Sequence, residues 1–148
     1  MNRRTTLAAA LALTSGLALA GCGGGDTAPK LSVDGAYMPQ PVTDGMAGAF
    51  FTIKNGGGAD KLTSVTSDLA SDVSIHKTVG SKMEQVNSLA IPANGTLDLV
   101  HGGSHVMFMG LKKKPAEGGT VSIELHFAKA GPIKVKVPVK AATYAPKK

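Results

Sequence analysis

The sequence contains a single cysteine, no tryptophan and only 4% aromatic residues. One cysteine excludes an intramolecular disulfide framework and any metal site built from several thiolates. Glycine and proline are plentiful instead, with 19 and 8 residues among the 148 of the chain. A chain with so many turn-forming residues, 43% hydrophobic residues and 18% charged ones favours one folded, β-rich domain over a helical bundle.

Strong charge of one sign is also lacking. The formal net charge is +6, and the basic residues are spread along the chain without interleaved aromatic residues. This mild excess does not indicate a nucleic-acid surface. The sequence also shows no phosphate-binding glycine loop between a strand and a helix, no nucleophile elbow and no carboxylate pair suited to acid–base chemistry. We therefore expect a binding protein with no nucleic-acid partner, and not an enzyme.

The first residues have the pattern of an export signal. Two arginines precede an apolar stretch from Leu7 to Ala20, which is too short to span a bilayer. Leu19-Ala20-Gly21-Cys22 then resembles a bacterial lipobox, in which the cysteine is lipidated and the chain is cleaved just before it. We expect residues 1–21 to be a lipoprotein signal peptide and Cys22 to carry the lipid. A plain secretory signal or an N-terminal membrane anchor is the alternative.

Residues 22–30 are rich in glycine and predict a flexible tether between the lipid and a folded domain over residues 31–148. In that domain, short apolar runs are separated by turn signals such as Asn55-Gly56-Gly57-Gly58 and Pro92-Ala93-Asn94-Gly95. Eight or nine short strands at this spacing predict an all-β sandwich. The predicted strands are 31–37, 48–54, 61–66, 72–79, 83–90 (the weakest), 96–100, 104–111, 120–128 and 133–140.

One predicted strand carries an unusual combination of side chains. In His105-Val106-Met107-Phe108-Met109 the imidazole and the two thioethers share a face, because side chains alternate along a strand. In another predicted strand, His76 points away from the face that Val73 and Ile75 share. Both histidines can serve as ligands if the strands that carry them are neighbours.

Neutral imidazole and thioether form a donor set with a clear metal preference. Thioether sulfur binds Zn, Mg or Ca poorly but suits Cu(I). A blue-copper electron-transfer centre needs a cysteine thiolate, and the single cysteine of this chain, Cys22, is assigned to lipidation. We therefore expect a site that stores or hands over cuprous copper and does not cycle electrons.

These residues together resemble the periplasmic copper chaperones of the PCuAC type. That family has a cupredoxin-like β-sandwich, and its signature is a histidine and a methionine followed, after a spacer, by His-x-Met. Here 21 residues separate Met83 from His105-Val106-Met107, as in the family. The resemblance covers residues 31–140 and implies that the copper ligands are His76, Met83, His105 and Met107.

The first interval departs from the family pattern. Only six residues separate His76 from Met83, fewer than is common in the family, so Met83 is the ligand that the spacing supports least. Met109 is an alternative thioether, and Met38 or Met46 could fold in from the N-terminal loop. Packing is the competing interpretation for these last three methionines, since methionine fills irregular gaps well.

The two remaining histidines are expected to play no part in the site. His101 lies in a glycine-rich turn and is predicted to be exposed. His126 alternates with Glu124 and Ser122, which is typical of a surface strand position.

The N-terminal signal with Cys22 and the resemblance over residues 31–140 together imply an exported protein, lipid-anchored to the extracytoplasmic face of a bacterial membrane. It would bind Cu(I) and pass it by ligand exchange to a copper-accepting protein, such as a cytochrome oxidase or its assembly factors. Two alternatives stay open. One is a structural or interaction β-sandwich lipoprotein that binds a protein or a polymer. The other is a protein that sequesters copper for resistance.

Overall fold

The computed structural model describes residues 27–147, and the prediction of an all-β fold is confirmed there. Ten strands are present in this region, against the eight or nine predicted. The expected signal peptide, Cys22 and the first part of the tether lie outside the described residues. The strands are β1 (Leu31–Pro39), β2 (Met46–Asn55), β3 (Asp60–Thr66), β4 (Ala70–Val79), β5 (Lys82–Val86), β6 (Leu89–Ile91), β7 (Thr96–Leu99), β8 (His105–Leu111), β9 (Thr120–Phe127) and β10 (Ile133–Lys140).

The strands form a mixed sheet in the order β5-β4-β8-β2-β1-β10-β9-β3-β6, with β7 paired to β2. A short parallel pairing of β1 with β10, through Met38 and Pro39, joins an antiparallel first half (β5 to β1) to an antiparallel second half (β10 to β6). The two halves share one apolar core. Phe108 of the first half and Leu125 of the second are both fully buried in it. Among residues 27–147, no helix is long and apolar enough to cross a bilayer.

Alternating burial explains the register of the strands. In β9, Val121, Ile123 and Leu125 are buried, whereas the polar residues between them are exposed or half-buried. The antiparallel partner β10 places Val137 opposite Val121, so buried residues face the core in both strands. A slip of one residue would turn these apolar rows towards water, which is why the pattern specifies a single register.

The strand predicted over residues 83–90 is two strands in different parts of the sheet. Exposed β5 pairs with β4 at one edge, and β6 pairs with β3 at the other edge. Leu89 and Ile91 of β6 are buried in the core. Their burial beside β3 draws this part of the chain away from β4, so one continuous strand cannot satisfy both pairings.

The first described residues lie against the domain. The Lys30 amide donates to Asn55 Oδ1 at 3.1 Å, and Asn55 Nδ2 donates to the Gly58 carbonyl at 2.7 Å. A Cβ at Gly57 or Gly58 would meet the backbone of residues 27–30, so the close approach depends on glycine. Residues 27–30, the last part of the predicted flexible tether, are therefore fastened by buried Asn55 to the C-terminal end of β2, because their backbone finds hydrogen-bond partners there.

Asp60 is a buried carboxylate that holds the β9–β10 turn. Its Oδ1 accepts the backbone amides of Lys61 at 2.8 Å and Lys129 at 2.9 Å, and its Oδ2 accepts that of Ala130 at 2.9 Å. Burial acts to raise the pKa of this carboxyl, but the three amides and the Lys129 charge outweigh burial and hold the pKa below its usual value.

We expect Asp60→Asn to lower the free energy of unfolding by about 1–3 kcal/mol, because an amide nitrogen cannot accept the Ala130 proton. Because the pKa of Asp60 is lowered in the folded protein, its carboxylate stabilises the fold fully at pH values above its ordinary pKa of 3.8. This stabilisation is lost as the pH falls through the lower pKa of the folded state. Urea unfolding of both proteins at neutral and acidic pH measures the two effects. An equally steep acid loss in the variant would contradict this role.

Candidate metal centre

Two histidines lie side by side on the outer face of the first half. His76 of β4 is directly opposite His105 of β8 in the antiparallel register. Their ring centroids are 5.5 Å apart and their planes are tilted by only 19°. The fold therefore brings two imidazoles from separate parts of the sequence within reach of a single ion.

The core decides which way the donors of β8 point. Val106 and Phe108 are fully buried, so the alternating His105 and Met107 project from the opposite face of the sheet. On that face Met107 is the next position along β8 from His105 and a diagonal neighbour of His76. Long side chains interact across such a diagonal. One thioether thus adjoins both imidazoles.

The ring of His105 is held in one orientation. Its Nδ1 lies 2.9 Å from the carbonyl oxygen of Gly103. Because a carbonyl only accepts, this bond assigns the proton to Nδ1 and leaves the lone pair of Nε2 for a metal. The residue is only 6% exposed. The hydrogen bond and the burial together restrain the His105 ring.

His76 has a different environment. Its Nε2 lies 2.9 Å from the hydroxyl of buried Ser74. Burial, and then the neighbouring His105, lower the pKa of His76 below its usual value, while Asp72 opposes the change. A lowered pKa favours the neutral imidazole, which is the form that binds a metal. Coordination through Nε2 requires the Ser74 hydroxyl to rotate away.

Aromatic rings pack beside the histidine pair. The Phe50 ring lies 6.3 Å from that of His105 and 5.7 Å from that of His101, centroid to centroid. Tyr37 packs on Phe50 at 5.3 Å and on Tyr144 at 5.0 Å. This cluster covers one side of the centre and limits the access of water. His101 is exposed as predicted and touches the cluster through Phe50.

Met83 lies on the other side of His76. It is opposite Thr78 in the β4–β5 pairing, which makes it a diagonal neighbour of His76 on the side away from Met107. Gly80, with φ of 63°, permits the tight turn of this hairpin. Although only six residues separate His76 from Met83, Met83 therefore lies on the same face of the sheet as the two histidines. With 62% of its surface exposed, it is the outermost of the predicted ligands.

The other methionines differ from what the sequence predicts. Met38 lies in β1, not in a loop, and is fully buried in the core, so it cannot fold in as a ligand. The packing interpretation of Met46 and Met109 is wrong, because both side chains are exposed on the outer face. His126 is half-buried on β9 in the second half, with its Nε2 3.1 Å from Thr66 Oγ1.

The donors that gather here are two imidazoles with thioethers. Within residues 27–147, no three His, Cys, Asp or Glu side chains come together as a metal-binding group. Imidazole and thioether are uncharged, and thioether sulfur is a soft donor suited to Cu(I). The chemistry of the described residues therefore fits a soft monovalent cation.

Solved structures that superpose on this chain include PCuAC domains. The apo PCuAC domain of PmoF2 superposes with a TM-score of 0.69 at 21% identity, over 79% of this chain and 94% of that one. The Cu(I) form of DR1885 from Deinococcus radiodurans has a TM-score of 0.66 at 31% identity, over 82% of this chain and 85% of that one. The resemblance seen in the sequence is thereby confirmed, and the fold is that of a PCuAC domain.

Sequence comparison identifies the family. Residues 31–139 match the model described as "Putative lipoprotein LpqE-like". The chain is also 36% identical over 152 residues to "Putative lipoprotein Lxx21020" of Leifsonia xyli subsp. xyli, an alignment that covers 93% of this chain and 89% of that protein. The chain belongs to the LpqE-like lipoprotein family.

In the metal-free protein, we expect the His105 ring to carry its proton on Nδ1, because Gly103 accepts it. Ser74→Ala should alter the ring nitrogen signals of His76 but leave the His105 tautomer unchanged. Long-range proton–nitrogen correlation spectra measure both. Ser71→Ala, which removes an exposed hydroxyl from the same strand, is the matched control. A protonated Nε2 on His105 would contradict the assigned orientation.

Proposed function

We propose that this protein is a lipid-anchored, extracytoplasmic carrier that binds one Cu(I) ion and delivers it to an acceptor protein. The observation that carries the proposal is the direct pairing of His76 with His105, with Met107 beside both on one face. The Cu(I) form of DR1885, 31% identical and alike in fold, supports copper as the ion.

His76, His105 and Met107 are the proposed inner ligands, and Met83 is the proposed outer one. Imidazole nitrogens give the ion two firm bonds, and thioether sulfur selects Cu(I) over Zn and other harder ions. None of these donors carries a charge when it binds. The ion is therefore held without the strong attraction of thiolates, which suits a protein that must release its cargo.

Exposure of the ligands is graded, and this grading supports transfer by ligand exchange. His105 is nearly inaccessible beside the aromatic cluster, whereas Met83 is open to solvent at the edge hairpin. An acceptor can replace Met83 first while the imidazoles still hold the ion. Copper then moves from one protein to the other without being free in water.

The position of the centre supports action close to a membrane. Asn55, at the end of β2, fastens the segment that leads to Cys22. Phe50, beside His105, is five residues back along that strand, which corresponds to about 17 Å. Lipidation of Cys22 would keep the centre within reach of a membrane-bound acceptor such as a cytochrome oxidase or its assembly factors.

We expect the chain from residue 22 onward, with Cys22→Ser to remove the competing thiol, to take about one Cu(I) tightly in anaerobic competition with a chromogenic chelator. His105→Ala and Met107→Leu should each weaken binding more than about tenfold, or ~1.4 kcal/mol, by removing an inner ligand. His126→Ala and Met38→Leu are matched controls away from the centre. Failure of the wild type to compete, or unchanged binding in both variants, would overturn the proposal.

Met83→Leu should weaken binding less than Met107→Leu, because Met83 is an exposed outer ligand. It should also speed the release of Cu(I) to a chelator or to an acceptor domain, which stopped-flow absorbance measures. Slower release from the variant would contradict the order of exchange proposed here. Tight retention in the presence of every acceptor tested would instead favour sequestration.

A further inference from the structure

Two methionines lie next to each other in solvent at the far end of the same face. Met46 of β2 is directly opposite Met109 of β8 in the antiparallel register. Their side chains are 52% and 44% exposed. Directly opposed residues on one face have Cβ atoms about 4.5–5.5 Å apart. Both thioethers can therefore reach one ion between them.

Packing does not account for this pair. The neighbouring Ala47 and Phe108, which alternate with the methionines, are the residues that enter the core. Met46 and Met109 point the other way, and each leaves about half of its surface in solvent. Neither side chain belongs to the buried core, so core packing does not explain why two thioethers stand together here.

The pair continues the line of donors that begins at the histidines. Along the outer face of β8, Met107 stands between Met109 and His105. Gly48 is the partner of Met107 on β2 and has no side chain of its own, and the ring of Phe50 lies over it, 3.5 Å from where a Cβ would stand. Asp72 of β4 is exposed and lies directly opposite Met109 on the other side of β8 from Met46. The negative charge of its carboxylate favours a cation at this place.

We propose that Met46 and Met109 form a second, weaker thioether site for Cu(I), from which the ion reaches the histidine centre by exchange onto Met107. This inference rests on the proposed function. Thioether sulfur selects a soft monovalent ion, and two such donors without imidazole bind it less firmly than the histidine centre does. Met107 adjoins both sites and is the ligand that the two positions can share in turn.

The place of the pair in the fold agrees with loading from solution. Met46 is at the opposite end of β2 from Asn55, nine residues away, or about 30 Å. Asn55 fastens the segment that leads to the lipid anchor. Along β2 the second site is thus further from the predicted anchored end than the histidine centre, which suits loading by a donor that arrives from solution.

The experiment is a titration of the processed chain, residues 22–148 with Cys22→Ser and labelled at the methionine methyl groups, with Ag(I) as a redox-inert substitute for Cu(I). We expect the first equivalent to shift the Met107 methyl and the rings of His76 and His105. A second equivalent, bound at least about tenfold more weakly, or ~1.4 kcal/mol, should shift Met46 and Met109. Buried Met38 is the internal control and should not move.

The double variant Met46→Leu with Met109→Leu should lose the second equivalent and keep the first, which also shows that it is folded. In stopped-flow loading from a Cu(I)–chelator complex, this variant should take up copper more slowly than the wild type. Retention of the second equivalent by the variant, or no shift of the Met46 and Met109 methyls in the wild type, would overturn the second site. Unchanged loading would overturn its role in entry.

The two proposals fail in different ways. Loss of the histidine shifts with the methionine pair still responding would refute the function proposed for His76 and His105 and leave the thioether site standing. Histidine shifts without any response at Met46 and Met109 would refute the second site alone.

Discussion

The register between β4 and β8 is the constraint on which the proposed metal centre depends. It sets His76 opposite His105, and the burial of Val106 and Phe108 on the other side of β8 maintains it. A slip of β8 by one residue would turn His105 into the core and Val106 and Phe108 into water. The same interaction therefore holds the sandwich together and assembles the proposed ligands, so the stability of the fold and the geometry of the site cannot be separated.

The two sides of the proposed centre differ in how firmly the structure holds their side chains. The aromatic cluster around Phe50 and the Gly103 carbonyl restrain His105, whereas Met83 stands on a short edge hairpin with its side chain in solvent. A cation held by neutral donors gains little from long-range charge, so its retention depends on how well these ligands are positioned. In the proposed centre, restrained imidazoles together with an exposed thioether would allow the protein to bind the ion selectively and still release it.

Much of this arrangement could be predicted from residue patterns. The alternation of side chains along β8 predicted that His105, Met107 and Met109 share one face. The frequent turn signals predicted an all-β sandwich. Both predictions succeed because they depend on local geometry alone. The strand predicted over residues 83–90 was wrong as one element. Its division into β5 and β6 follows from the burial of Leu89 beside β3, a contact between residues far apart in the chain.

The sequence by itself determined which donors are available, since a chain with one cysteine, at a predicted lipobox, and with a His-x-Met strand offers a soft ion imidazole and thioether. It also determined strand faces, because the period of a strand is a local property. Only the tertiary structure decided which strands are neighbours. That choice buried Met38, exposed Met46 beside Met109 and set His76 against His105, because pairing across the sheet is governed by the packing of a shared core and not by spacing along the chain.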